Sequence, residues 1–186
     1  DQGKIAAVRF KHELPNYGTF DEVRLFEPGP LPEPIVFKGV MIGLPICEDI
    51  WHPDVCRHLA DFGAELLICI NGSPYEIDKD TLRIDGVAKR RAVDTGLPLA
   101  YLNRVGGQDE LVFDGGSVVI DHTGTTRFRA PSFAEGQFPV SIEWDQQQVS
   151  VPLQSLDAIP DNIAAVYQAL VVGMRDYVNK NRFKGV

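Results

Sequence analysis

Apolar runs of strand length that alternate with segments of helical periodicity constrain the fold of this chain more than any other feature of its sequence. The runs cover residues 37–46, 65–70 and 99–103, and the helical segments between them cover residues 54–62 and 81–95. Strands and helices in this alternation are typical of layered sheets covered by helices. The sequence therefore predicts an α/β fold.

The segments on either side of this pattern predict loops and shorter elements. Residues 4–10 are predicted as a strand, and they are followed by a proline-rich passage without a sustained period at residues 13–34. Residues 105–116 are predicted as a glycine-rich loop, because their glycines suit positive φ angles. A hairpin is predicted from residues 117–121 and 126–129.

The last predicted element is an amphipathic helix that begins after Ile159, Pro160 and Asp161. Its apolar residues recur at helical spacing. They are Ile163, Val166, Tyr167, Leu170, Val171, Met174, Tyr177 and Val178. Polar residues at 179–182 end the helix.

The composition excludes several classes of function. Lys and Arg number 18 against 26 Asp and Glu, and the net charge of −8 would repel a phosphate backbone, so no nucleic-acid partner is expected. No signal peptide opens the chain and no apolar stretch reaches the roughly 18 residues that span a bilayer, so no membrane association is expected. Three cysteines without a Cys-x-x-Cys pair argue against a disulfide framework or a zinc ribbon. The cytoplasm is the expected location.

Cys47 lies between a predicted strand and a predicted helix, where its sulfur would be exposed near a helix N-terminus. That environment favours the thiolate, which is the reactive form of cysteine. Most cysteines are nevertheless small buried hydrophobes, and this interpretation is kept for Cys56 and Cys69. A metal site formed by His52, Cys56 and His58 is disfavoured, because their spacing places them poorly on one helix face. No metal site is predicted.

Separated strings of the sequence share a resemblance to one family. They are Lys11 with residues 14–18 and 20–22, the run Gly-Leu-Pro-Ile-Cys-Glu-Asp-Ile-Trp that contains Cys47, residues 71–75, and Asn103 with the run Val-Gly-Gly-Gln-Asp-Glu-Leu-Val-Phe-Asp-Gly-Gly-Ser that follows it. Together they resemble the nitrilase superfamily, and specifically the glutaminase domain of glutamine-dependent NAD synthetases. The last run is the most specific, since general nitrilase-like amidases resemble it far less.

The resemblance implies a Glu-Lys-Cys triad in which Cys47 is the nucleophile and Lys11 is the lysine. The family's glutamate lies a long way upstream of the lysine, whereas none of the ten residues before Lys11 is Glu. The chain is therefore expected to lack the first part of its domain. Lys11 and the backbone N–H of Glu48 are expected to stabilise the oxyanion that forms when the thiolate attacks an amide.

The same resemblance implies which residues recognise the substrate. Tyr17, Glu48, Ser73 and Arg83 are implied as groups that meet the ammonium and carboxylate of L-glutamine. From the residues alone, Tyr17 and Ser73 suit ordinary turn roles equally well. Glu22 matches a position where related amidases have a second carboxylate, which would help to order the catalytic lysine.

The fold implied by the resemblance is a nitrilase-type αββα sandwich, here without its N-terminal part. Residues 1–155 would be the C-terminal portion of the glutaminase domain, and residues 156–186 a connector helix toward an ATP-pyrophosphatase (synthetase) domain that this sequence lacks. No cofactor is expected in this domain, whereas ATP, Mg²⁺ and deamido-NAD are implied for the synthetase domain. The expected partners are L-glutamine, the synthetase domain of the same parent chain, and further copies of the protein in a homo-oligomer.

The implied activity is hydrolysis of glutamine, which supplies ammonia for the ATP-dependent amidation of deamido-NAD to NAD. A Cys-His amidotransferase is a rival, but it would need a Gly-x-Cys-x-Gly elbow, and Ile46 and Glu48 flank the cysteine instead. The sequence is also compatible with a stand-alone nitrilase-superfamily amidase and with a non-catalytic assembly module of the same fold. The presence of both Lys11 and Cys47 argues against the assembly module.

Overall fold

A six-stranded sheet lies at the centre of the computed structural model, which describes residues 3–145 and 148–185. The strands are β1 (Ile35–Phe37), β2 (Val40–Gly43), β3 (Leu66–Asn71), β4 (Leu99–Asn103), β5 (Val105–Gln108), β6 (Leu111–Asp114), β7 (Val118–Ile120), β8 (Thr126–Arg129), β9 (Glu143–Trp144) and β10 (Val149–Ser150). The large sheet has the order β1-β2-β3-β4-β7-β8, and β5 with β6 and β9 with β10 form two separate pairs.

The three central strands of the large sheet run parallel. β2 pairs with β3, and β3 pairs with β4 in a register that aligns Leu67 with Leu99 and Asn71 with Asn103. The outer strands are antiparallel to their neighbours. Ligands usually bind beyond the carboxyl ends of parallel strands. The segments that follow β2, β3 and β4 are therefore brought together at one edge.

Helices cover one face of this sheet. α1 (Pro53–Asp61) follows β2, and the segment between β3 and β4 comprises α2 (Lys79–Thr81), a π-helical stretch (Leu82–Ala88) and α3 (Lys89–Thr95). The two helices predicted between the strands are confirmed, although the π-helical stretch, a form often found at functional sites, is not part of the prediction. Their buried side chains form one core with the sheet, which includes Val55, Leu59, Leu67, Ile84, Ala88, Leu99, Tyr101 and Ile120.

The opposite face of the sheet is only partly covered. Ile70 of β3 is 53% exposed and Leu102 of β4 is 56% exposed. A smaller apolar cluster covers the β7–β8 side, and it consists of Val119, Phe128, Ala130 and Val151. The described residues thus form one helical layer and one large sheet, which is half of the predicted αββα arrangement.

Two strand predictions at the start of the chain are corrected. Residues 4–10 form no strand, because no described strand lies beside them, and the side chains of Ile5, Val8 and Phe10 are exposed. Residues 37–46 do not form one strand, since the chain turns back at Lys38 and Gly39, both of which have positive φ. This turn joins β1 to β2 as an antiparallel hairpin.

The region predicted as a glycine-rich loop is instead a second hairpin. β5 and β6 pair antiparallel from Val105 with Asp114 to Gln108 with Leu111. The glycines allow the hairpin backbone to approach the last helix closely, since a Cβ atom at Gly107 would lie 3.0 Å from the Cα atom of Gly173. The hairpin predicted after it is confirmed as β7 and β8.

α4 (Asn162–Lys180) confirms the predicted C-terminal helix, and the Asp161 carboxylate caps it by accepting from the Ala164 amide at 2.8 Å. The helix is tied to the β5–β6 hairpin at Gly107. The amide of Gly107 donates to Asp176 Oδ2 at 2.7 Å, and Lys180 Nζ donates to the Gly107 carbonyl at 2.5 Å.

α4 packs through small residues and not through its large apolar ones. Ala165, Ala169 and Val172 are buried, whereas most of the predicted apolar positions are exposed; these are Ile163, Tyr167, Leu170, Val171, Met174 and Tyr177. An exposed apolar strip of this size is typical of a surface that contacts another domain or chain. Within residues 3–145 and 148–185, no helix combines the length and the hydropathy needed to cross a bilayer.

The contact between the hairpin and α4 leads to a prediction about Gly107. A Cβ atom at position 107 would lie 3.0 Å from the Cα atom of Gly173, so Gly107→Ala forces the hairpin away from the helix. We expect a loss of about 1–3 kcal/mol in the free energy of unfolding, measured by urea denaturation. Gly86→Ala is the matched control, because its Cβ would meet only the flexible end of Leu82 at 3.1 Å. Equal stability of the two variants would contradict the close approach.

Candidate active site

Cys47 occupies a strained turn between β2 and α1. It begins a short 3₁₀ helix, Cys47–Ile50, and its φ of 50° is unusual for a residue other than glycine. Ile46 forms a parallel bridge with Ile70, which holds the turn beside the end of β3. The backbone amide of Gly72 donates to the Cys47 sulfur. Strain of this kind is found at functional sites, where the surrounding structure holds it in place.

Lys11 and Glu22 form a closely coupled ion pair beside the cysteine. Lys11 Nζ donates to both carboxylate oxygens of Glu22, at 2.8 and 2.6 Å. Both side chains are largely buried. The charges of Lys11 and Glu22 both act on the Cys47 thiol, so the structure brings these three predicted residues together.

Burial is the largest influence on Cys47, and it raises the pKa of its thiol above the ordinary value. The Gly72 amide and the Lys11 ammonium oppose this rise in pKa, whereas the carboxylates of Glu48 and Glu22 add to it. The turn therefore favours the thiol over the thiolate, which corrects the expectation from the sequence. A reaction at this sulfur therefore needs a group that accepts its proton.

Tyr17 and Glu48 also lie at the site. The Tyr17 hydroxyl donates to Glu48 Oε2 at 2.8 Å, and the Glu48 side chain is buried while Tyr17 remains half exposed. Burial, followed by this hydrogen bond, raises the pKa of Tyr17. The pair presents one buried carboxylate and one hydroxyl next to Cys47.

Ser73 is held at the end of β3 by Asn103, which ends β4. Its amide donates to Asn103 Oδ1 at 3.0 Å, and Asn103 Nδ2 donates to its carbonyl at 3.3 Å. Ser73 follows Gly72, whose amide contacts the Cys47 sulfur. The structure thus places Ser73 beside the turn that contains Cys47.

Arg83 is placed differently from the other predicted site residues. It is 1% exposed, and its two terminal nitrogens donate to the two carboxylate oxygens of Asp114, at 2.9 Å for Nη1 and 2.5 Å for Nη2. Nη1 also lies 3.5 Å from the Ser73 carbonyl oxygen. In this arrangement Nη1 and Nη2 of Arg83 are engaged by Asp114 and by the Ser73 segment, and Nε is buried without a hydrogen-bond partner among the described residues.

Two further polar residues at the site, Asp114 and Asp49, are not predicted from the sequence. Asp114 holds Arg83, and Asp49 is a fully buried carboxylate in the turn that Cys47 begins. The one sequence signal for Asp49 is its place two residues after the cysteine, where a carboxylate in the first helical turn can accept hydrogen bonds from backbone amides.

Among the described residues, no three His, Cys, Asp or Glu side chains cluster closely enough to hold a metal ion, and His52, Cys56 and His58 do not converge.

Comparison with known proteins defines the class of this chain. A family model described as carbon-nitrogen hydrolase matches residues 1–150, and the chain belongs to this family. It has the nitrilase-superfamily fold, since it superposes with a TM-score of 0.56 and 31% identity on a nitrilase-superfamily amidase from Nesterenkonia AN1, over 65% of this chain and 44% of the amidase.

Within that family, the chain is similar to glutamine-dependent NAD⁺ synthetases over nearly its whole length. It is 42% identical over 184 residues to the enzyme of Rhodobacter capsulatus, a match that covers 99% of this chain and 33% of that protein. It superposes with a TM-score of 0.91 and 35% identity on the solved structure of the enzyme from Acinetobacter baumannii in complex with ADP, over 99% of this chain and 34% of that one. The chain therefore spans about a third of the length of these relatives.

The charges around Cys47 predict how its reactivity depends on pH. Because the thiolate is the reactive form, alkylation by iodoacetamide follows deprotonation, and the raised pKa places the rise in rate at higher pH than for free cysteine. Lys11→Met removes a group that lowers this pKa, so we expect its profile to move further to high pH. Mass spectrometry of the Cys47 peptide measures the rate. Arg24→Met, which removes an exposed cation paired with Asp21, should leave the profile unchanged.

The buried pair of Arg83 and Asp114 predicts a loss of stability when it is broken. We expect Arg83→Met to lower the free energy of unfolding by about 3–5 kcal/mol, because it leaves Asp114 buried without its cation. Arg24→Met is the control, since both Arg24 and its partner Asp21 are exposed, and its loss should cost about 1 kcal/mol or less. An Arg83 variant of normal stability with a raised KM for glutamine would instead support direct substrate binding.

Proposed function

We propose that this chain hydrolyses the side-chain amide of L-glutamine with Cys47 as nucleophile, and that the ammonia serves the amidation of deamido-NAD in the complete protein. The observation that carries the proposal is the strained Cys47 turn with the Lys11–Glu22 pair acting on its sulfur. The relatives named glutamine-dependent NAD⁺ synthetases support the choice of glutamine.

The reaction begins when the Cys47 thiol loses its proton and the sulfur attacks the amide carbon. A C–S bond forms, and the carbonyl oxygen becomes an oxyanion. Lys11 Nζ and the backbone N–H of Glu48 stabilise this oxyanion, each contributing about 3 kcal/mol in typical sites of this kind. The C–N bond then breaks as the nitrogen takes up a proton and leaves as ammonia. Water hydrolyses the thioester, which releases glutamate and restores the thiol.

The proton acceptor in this scheme comes from the family resemblance. Glu22 holds Lys11 through both of its oxygens, so it orders the lysine and is poorly placed to receive the thiol proton. We assign that step to the upstream glutamate of the family triad, supplied by a segment of the complete protein. The raised pKa of Cys47 supports the need for such a base.

Substrate recognition is assigned to the groups around the turn. The Glu48 carboxylate, oriented by Tyr17, suits the ammonium group of glutamine. Ser73, which follows Gly72 at the end of β3, is also assigned to substrate recognition, as the family resemblance implies. Arg83 is assigned to supporting the Ser73 carbonyl and not to contact with glutamine, because Asp114 engages both of its terminal nitrogens.

The remaining partners belong to the part of the complete protein outside this chain. ATP, Mg²⁺ and deamido-NAD are assigned to the synthetase domain, as the family resemblance implies. The exposed apolar strip of α4 is the surface we assign to contact with that domain, and assembly into a homo-oligomer stays a prediction. Cytoplasmic location also stays a prediction, and the three free cysteines are compatible with it.

Activity assays on the complete protein test this proposal. Cys47→Ala should lower ammonia release from glutamine by roughly four orders of magnitude or more. The same variant should still form NAD when ammonium is added, because only the glutamine reaction needs the thiol. Cys56→Ala is the matched control, since Cys56 is buried in α1 and should retain glutamine hydrolysis.

Different outcomes of these assays favour different functions. Ammonia release from glutamine without any NAD formation would indicate a stand-alone amidase. Absence of both activities in the wild-type protein, with no labelling of Cys47 by a glutamine-mimicking electrophile, would indicate a non-catalytic assembly module.

A further inference from the structure

Asp49 is a fully buried carboxylate whose hydrogen-bond partners come from two segments that are far apart from each other in sequence. It is 0% exposed. Its Oδ1 atom accepts from the backbone amides of His12 at 3.0 Å and Glu13 at 2.7 Å, and its Oδ2 atom accepts from the amide of Ile46 at 2.8 Å. Charged acceptors of backbone amides form strong hydrogen bonds, and burial removes competition from water.

These amides flank the two residues to which we assign the chemistry. The first two belong to the residues that follow Lys11, and the third belongs to the residue that precedes Cys47. We infer that Asp49 is a positioning residue that fixes Lys11 relative to Cys47 through these three backbone bonds. The inference rests on the proposed roles of Lys11 and Cys47, and it adds a residue that has no contact with the reacting atoms.

The segment that carries Lys11 needs such a device, because it lies outside the sheet. Residues 5–34 contain no helix or strand, so no ladder of backbone bonds fixes the lysine. The other backbone contact of Lys11 is its carbonyl, which accepts from the Gly29 amide at 2.8 Å within the same irregular segment. The bonds to Asp49 are therefore the backbone attachment of the residues next to Lys11 to the turn after β2, in addition to the side-chain bond from Tyr17 to Glu48.

Capping of the 3₁₀ turn explains only part of this arrangement. The bond from Ile46 to Oδ2 is a normal cap contact for a carboxylate at the third position of a helical turn. Both hydrogen bonds that Oδ1 accepts come from outside the turn. They come from the amides of His12 and Glu13, which lie 37 and 36 residues away in sequence. Two of the three bonds thus serve the lysine segment.

Replacement of Asp49 by Asn separates these functions with little change in volume. The Asn side chain keeps one acceptor oxygen, whereas its amide nitrogen can only donate. At least one backbone N–H then faces another donor, so either the lysine segment or the cysteine turn loses its anchor. A displacement of about 1 Å at a catalytic group typically costs about 100-fold in rate.

Two measurements on the complete protein with Asp49→Asn test the inference. One is the kcat and KM of glutamine hydrolysis, and the other is the pH dependence of the rate of Cys47 alkylation. We expect kcat to fall roughly 10- to 100-fold with KM changed less than threefold, since the groups assigned to glutamine binding keep their own contacts. We also expect the alkylation profile to move to higher pH, because a displaced Lys11 no longer favours the Cys47 thiolate. The other charges that act on Cys47, from Glu48 and Glu22, are unchanged in this variant.

Asp121→Asn is the matched control for a buried carboxylate that accepts backbone amides. Asp121 Oδ1 accepts from the amides of Thr123 at 2.9 Å and Thr125 at 3.0 Å in the turn between β7 and β8. This substitution should lower the Tm without changing kcat or the alkylation profile. A purely structural Asp49 would behave in the same way, so equal behaviour of the two variants, with kcat and the profile unmoved, would overturn the inference.

A double substitution tests whether Asp49 acts through the lysine. In a protein that already carries Lys11→Met, Asp49→Asn should have almost no additional effect on kcat or on the alkylation profile. The group that Asp49 positions is already absent from this protein. Full effects of both substitutions, added together, would contradict positioning through Lys11. If Asp49→Asn does not fold, Asp49→Glu takes its place, because it keeps both acceptor oxygens on a side chain one methylene longer. Positioning by Asp49 predicts that kcat falls and that the alkylation profile moves to higher pH in this variant also. A wild-type kcat and a wild-type profile would overturn the inference.

The two proposals fail in distinguishable ways. If the wild-type protein releases no ammonia from glutamine, the proposed function is wrong, and the alkylation profiles still report whether Asp49 places Lys11 beside Cys47. If the wild-type protein is active and Cys47→Ala is inactive, but Asp49→Asn matches the wild type, only the inference about Asp49 is wrong.

Discussion

The parallel pairing of β3 with β4 is the interaction on which the rest of the site depends. The register aligns Asn71 with Asn103, so the two strands end side by side. The two asparagines then join the strand ends, since Asn71 Nδ2 donates to the Leu102 carbonyl and Asn103 Oδ1 accepts from the Ser73 amide. A shift of one residue would point these side chains to the opposite faces of the sheet and remove both contacts.

This rigid edge positions elements that have little regular structure of their own. The Cys47 turn follows β2, and the bridge from Ile46 to Ile70 holds it against β3, which lets the Gly72 amide reach the sulfur. Buried polar side chains then attach the remaining segments: Asp49 attaches the segment with Lys11, and Arg83 with Asp114 supports Ser73. The site thus combines strained and irregular backbone with a scaffold that fixes its geometry.

Sequence patterns predict the elements that local chemistry determines. The helix predicted at residues 54–62 is α1 (Pro53–Asp61), and the strand predicted at residues 99–103 is β4. Because α1 follows β2 closely, the place of Cys47 between a strand and a helix is also predicted. The cap at Asp161 fixes the start of α4 in the same local way.

Long-range pairing is what the sequence patterns do not contain. Residues 4–10 have the composition of a strand but no neighbour among the described residues to pair with. Residues 105–116 look like a loop, yet they form a hairpin because glycines let α4 pack against them. The pair of Arg83 with Asp114 joins residues 31 positions apart, so no local pattern predicts it. The contacts of Asp49 span a similar distance, so its importance cannot be inferred from local spacing.

A covalent bond between glutamine and Cys47 is the central step of the proposed reaction, and rapid acid quenching of the complete protein during turnover measures this bond directly. Digestion and mass spectrometry of the quenched protein should find a γ-glutamyl thioester on the peptide that contains Cys47, formed before glutamate is released. Turnover of glutamine without this adduct, or an adduct on Cys56 or Cys69 instead, would contradict the account.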